Sequence, residues 1–82
     1  MIEKDKLINN LKQLQLVNKV YPSDSNFVLV EVQDADKVYK KLTSQNIIVR
    51  NRSNEIRNCL RITVGAPEEN TMLINALKNI KI

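Results

Sequence analysis

The chain has 82 residues, of which 43% are hydrophobic, with one Gly, two Pro, one Cys, no His and a net charge of +4. A domain of this size buries only roughly 60 to 65% of the surface its unfolded chain exposes, which argues against a deep catalytic cavity. The apolar content excludes disorder, the polarity excludes a membrane span, and a lone Cys59 without histidine excludes a disulfide framework and the usual zinc sites.

Leu7, Ile8, Leu11 and Leu14 recur at helical spacing, so Glu3 to about Gln15 is expected to form an amphipathic helix. The segment Met1-Ile2-Glu3-Lys4-Asp5-Lys6 that leads into it lacks the long apolar core of a signal peptide, and the cytoplasm is the expected compartment. The helical period is lost around Val20, where a first strand is placed. Tyr21-Pro22-Ser23-Asp24-Ser25-Asn26 supplies turn chemistry before Phe27-Val28-Leu29-Val30-Glu31-Val32, a mostly buried strand.

Asp34 is placed to cap a second helix whose apolar stripe is Ala35, Val38, Tyr39 and Leu42, with Lys37, Lys40 and Lys41 solvated. Asn46 is expected to end it as a left-handed residue, after which Ile47-Ile48-Val49 begins another short strand. Asn51 to Asn58 is polar and without period, a loop. In the next strand Leu60, Ile62 and Val64 alternate with Arg61 and Thr63, and Cys59 reads as a small core residue. A tight turn at Gly65 precedes the last helix, which Pro67 starts and Glu68 and Glu69 complement electrostatically. Met72, Leu73, Ala76, Leu77 and Ile80 are its expected buried stripe. The element order α-β-β-α-β-β-α predicts an α+β two-layer sandwich with a largely antiparallel sheet.

All four arginines, Arg50, Arg52, Arg57 and Arg61, fall within twelve residues, and all nine lysines lie outside that stretch. Only Glu55 opposes them there. The guanidinium is a planar fork that grips carboxylate or phosphate through two parallel bonds, whereas the lysine ammonium is a well-hydrated point charge. The sorting therefore points to an anion site, with Arg61 directed to the sheet face opposite the aliphatic core. An exposed strand arginine is often no more than a solubilising charge, and the flanking pattern decides otherwise here. No nucleophile and base pair is visible, Gly65 as the single glycine excludes a phosphate-cradling loop, and helix electrostatics account for Glu68 and Glu69.

The block Cys59 to Asn70, with Ile47-Ile48-Val49-Arg50 upstream and Tyr21-Pro22-Ser23 to Asn26-Phe27 before it, resembles the C-terminal small domain of histidinol-phosphate aminotransferases, which are fold-type I, pyridoxal-phosphate-dependent enzymes. The resemblance covers essentially the whole chain. Asn46 stands where that family usually has Gly, and Ala66 where Thr is common. The resemblance implies that residues 1–82 are a domain of a longer polypeptide whose large, cofactor-binding domain lies elsewhere. It implies that Arg61 binds the α-carboxylate of glutamate and, in the other half-reaction, the phosphate of histidinol phosphate, with Arg50 as a second substrate-anion arginine. Arg52 and Arg57 have no such match and are loop charges.

The family's Ser-x-x-Lys setting for the Schiff-base lysine is missing, since none of Ser23, Ser25, Ser44 and Ser53 has Lys three positions on. The chain by itself is therefore expected to hold no catalytic residue, to bind neither pyridoxal phosphate nor a metal, and to be inactive alone. In the whole enzyme it would serve an exchange of the amino group between L-histidinol phosphate and 2-oxoglutarate in histidine biosynthesis, as a homodimer without nucleic-acid or membrane partners. Two alternatives are a related pyridoxal-phosphate enzyme, such as a threonine-phosphate decarboxylase, and a free-standing α+β module that binds nucleic acid through its basic loop. Against the latter, Tyr21, Phe27 and Tyr39 are the only aromatics, too few for a base-stacking platform.

Overall fold

A computed structural model describes residues 2–21 and 25–80. Three helices, α1 (Ile2–Lys12), α2 (Ala35–Ser44) and α3 (Pro67–Lys78), accompany four strands, β1 (Val17–Tyr21), β2 (Phe27–Val32), β3 (Arg50–Asn51) and β4 (Cys59–Thr63), in the expected order. The strands form one antiparallel sheet, β1-β2-β4-β3. The fold is the α+β sandwich read from the sequence.

Strand alternation sets the layers. Val28, Val30 and Val32 of β2 and Leu60 and Ile62 of β4 point to one face, where they join Leu7 and Leu11 of α1, Ala35, Val38 and Leu42 of α2, and Leu73, Ile74, Ala76 and Leu77 of α3 in a single core. Each of the Val, Leu and Ile side chains among them contributes about 1.5–3 kcal/mol by leaving water. All three helices thus lie on one side. The opposite face carries Phe27, Leu29 and Glu31 of β2, Arg61 and Thr63 of β4, Arg50 of β3, and Lys19 and Tyr21 of β1, paired across the ladders.

Several expected boundaries shift, each for a local reason. The first helix stops at Lys12 because the backbone tightens: the Gln13 and Leu14 amides donate to Asn10 and Leu11 three residues back, and this turn still brings Leu14 against the core. Ile47–Val49 is not a strand. The Ile47 amide donates to the Leu42 carbonyl at 3.0 Å and so serves the end of α2, and pairing with β4 begins only at Arg50 and Asn51. Asn51 therefore belongs to a strand, with the loop running from Arg52 to Asn58. Met72 is 58% exposed and lies off the stripe, roughly 100° around the helix from Leu73, while Ile74 and Asn70 take buried positions in it. Residues 22–24 of the expected turn before β2 lie outside the described residues.

The capping expectations hold in detail. Asp34 accepts from the Lys37 amide at 3.1 Å, and Asn46 has φ 62°. Asn58 also adopts a left-handed φ of 59°, and its carbonyl accepts from the Val32 amide at 2.8 Å, tying the end of the arginine loop to β2.

Candidate anion-binding site

Arg50 and Arg61 stand directly opposite each other in the β3–β4 ladder. Facing residues of an antiparallel pair project from the same side of the sheet, so both guanidinium groups rise from the face that no helix covers. Like charges in facing positions destabilise a sheet. Among the described residues neither arginine forms a salt bridge. Arg52, by contrast, is bound to Glu55 within its own loop, and Arg57 lies exposed on that loop. Arg50 and Arg61 thus lie on strands, and Arg52 and Arg57 on the loop between them.

Each arginine is held differently. Arg61 is half-buried, its guanidinium carbon 4.5 Å from the centre of the Phe27 ring, and its Nε is enclosed without a hydrogen-bond partner. Arg50 is exposed, and its place depends on its neighbour: the Asn51 amide group donates to Asp36 of α2 at 2.8 Å, and the same carboxylate oxygen accepts from the Ser53 hydroxyl at 3.2 Å. A two-residue strand thereby gains an anchor on the helix layer, which keeps Arg50 on the other side.

The turn that carries β4 into α3 is fixed by two residues whose parts in it the sequence did not reveal. Asn70, buried in the first turns of α3, accepts from the Gly65 amide at 2.9 Å and donates to the Gly65 carbonyl at 3.0 Å and to Glu3 of α1 at 3.3 Å. Glu69 folds back to accept from the Ala66 amide at 2.9 Å. Gly65 is used for this close approach and not for a left-handed turn: a Cβ there would lie 2.9 Å from the Glu69 carboxylate oxygen. A buried Asn near a helix start was the available signal for the first.

Cys59 is fully buried, though by alternation it faces away from Leu60, opposite Glu31. Burial raises its thiol pKa, and the Glu31 charge raises it further. A surface concavity beside α3 is lined by Ile48, Met72, Ile62 and Leu73. Among the described residues no cluster of His, Cys, Asp or Glu suits a metal ion, and no helix is long and apolar enough to cross a membrane.

Comparison with known proteins identifies relatives of the sequence and of the fold. The chain is 47% identical over 78 residues to the histidinol-phosphate aminotransferase of Flavobacterium psychrophilum, covering 93% of this chain and 22% of that protein. It is 48% identical over 84 residues to the enzyme of the same name from Parabacteroides distasonis, covering 100% of this chain and 24% of that one. The fold superimposes on the histidinol-phosphate aminotransferase of Clostridium acetobutylicum with a TM-score of 0.86 and 26% identity, over 94% of this chain and 25% of that structure. A decarboxylase from Sulfurospirillum multivorans gives a TM-score of 0.82 and 31% identity, over 94% and 23%. The chain thus spans about a quarter of the length of these relatives. Residues 2–77 match the family described as aminotransferase class I and II, and the chain belongs to that family.

Proposed function

We propose that this chain is the C-terminal, substrate-anchoring domain of a histidinol-phosphate aminotransferase, a cytoplasmic enzyme that acts as a homodimer and exchanges an amino group between L-histidinol phosphate and 2-oxoglutarate. The observation that carries the reading is the facing Arg50 and Arg61 pair, without carboxylate partners among the described residues, on a sheet face left open by the helices. Such a site suits a reaction whose two substrates present a carboxylate and a phosphate in turn, because a guanidinium fork satisfies both planar and tetrahedral oxygens.

The residues present do not fit pyridoxal phosphate. Lys19 is the one lysine on the open sheet face among the described residues, and its ammonium sits 4.9 Å over the Tyr21 ring. The family's lysine attachment and the cradle for the cofactor ring are assigned to the remainder of the enzyme, and the part of this chain is to orient the anion.

The test is substitution of Arg61 in the enzyme that carries this domain. Removing a buried charge-assisted contact costs about 2–5 kcal/mol, so Arg61→Ala is expected to lose about 30-fold to several thousandfold in catalytic efficiency toward glutamate and histidinol phosphate alike. Arg61→Lys keeps charge without bidentate geometry and is expected to remain impaired. Unchanged efficiency of the alanine variant toward both substrates would return Arg61 to a solubilising charge. The match to the decarboxylase favours a second reading, a related enzyme that releases carbon dioxide. Assay of amino transfer against carbon dioxide release separates the two.

A further inference from the structure

We infer that Phe27 is the positioning residue for Arg61, a role that rests on the anion-binding reading of the arginine pair. Phe27 is opposite Thr63 and Leu29 is opposite Arg61, which makes Phe27 the diagonal neighbour of Arg61 on the open face, within reach of a long side chain. The guanidinium lies over the ring at 4.5 Å, a cation–π geometry. Among the described residues the Nε atom is shut from solvent and has no acceptor, and Arg61 makes no side-chain hydrogen bond. An anion arriving from solvent therefore meets the fork end-on, through Nη1 and Nη2, because the Nε edge is closed.

The ring does three things at once. It limits the rotamers of a long side chain, so that less freedom is lost when the anion binds. It excludes water from one surface of the guanidinium, which strengthens the field felt at the open end. It also avoids neutralising the charge, as a carboxylate in the same place would. Phe27 itself is fixed at the start of β2, where the Asn26 carbonyl accepts from the Val64 amide at 3.0 Å and ties that strand end to the turn after β4.

The experiment compares Phe27→Leu, Phe27→Tyr and Arg61→Ala in the enzyme that carries this domain, by steady-state kinetics with both substrates. Loss of the ring contact is expected to raise KM for glutamate and for histidinol phosphate by about 2- to 30-fold with a smaller effect on kcat and an unaltered cofactor absorption spectrum. Phe27→Tyr, which keeps the π face, is expected to restore KM. If Phe27→Leu leaves both KM values unchanged while Arg61→Ala raises them, the positioning role is overturned and the anion reading stands. If Arg61→Ala has no effect, both are overturned. A measurement on unsubstituted protein labelled at arginine covers the case of a variant that does not fold: the Arg61 Nε–H is expected to be shielded by the ring current and slow to exchange. A resonance and exchange rate matching those of Arg57 would overturn the proposal.

Discussion

Ala66 occupies a helix N-cap in extended geometry, φ −64° and ψ 159°, but has no side-chain oxygen to offer the first turn of α3. Half of a capping box is present through Glu69, and the other half is empty. Ala66→Thr is expected to raise stability by about 0.5–2 kcal/mol, read as a shift in the urea midpoint at constant slope. Gly65→Ala works in the opposite sense, since its Cβ displaces Glu69 from the cap; a loss of about 1 kcal/mol is expected. Cys59 adds a dependence on pH. Its thiol pKa is raised in the folded chain, so the unfolded state ionises first, and stability is expected to fall as pH rises from about 8.5. Urea unfolding at pH 7 and pH 9.5 checks this, and Cys59→Ala is expected to flatten the slope.

At the scale of elements, the joint between β4, α3 and α1 depends on Asn70. Its carboxamide occupies both the amide and the carbonyl of Gly65, so Asn70→Ala leaves two backbone groups without their partner. A loss of about 1–3 kcal/mol is expected in thermal or urea unfolding, with Asn70→Asp retaining only the acceptor half. This joint also shows what periodicity does and does not reveal. Helix α2 was legible to its caps because its signals are local: Asp34, the Ala35, Val38 and Leu42 stripe, and Asn46 lie within thirteen residues. Arg61 was assigned to the outer face by simple alternation with Leu60 and Ile62. By contrast, Ile47–Val49 has strand composition but spends a backbone amide on α2, and Met72 is apolar but on the wrong side of α3; both outcomes depend on what the neighbouring element offers. The facing of Arg50 and Arg61 is a matter of register between strands separated by a seven-residue loop, and composition carries no record of register.

For the molecule as a whole, the helices crowd one side of the sheet and the arginine pair stands on the other, so the proposed anion site is half of an enclosure. Without further donors around it, the pair lacks the preorganisation that makes an anion contact strong. Phosphate titrated into this chain is expected to bind far more weakly than micromolar, with amide shift changes centred on Arg50 and Arg61; submicromolar binding, or changes centred on Lys37 to Lys41, would contradict that placement. The two ends of the sheet tell a related story about association. At one edge β3 pairs over only two residues, and at the other the β1 register is interrupted between Val17 and Lys19. Strand addition needs a long, regular row of free backbone groups, and neither edge offers one. Growth of the sheet sideways into fibrils is thereby disfavoured, which leaves side chains, such as Phe27, Leu29 and the arginines of the open face, as the means by which this sheet can meet another surface.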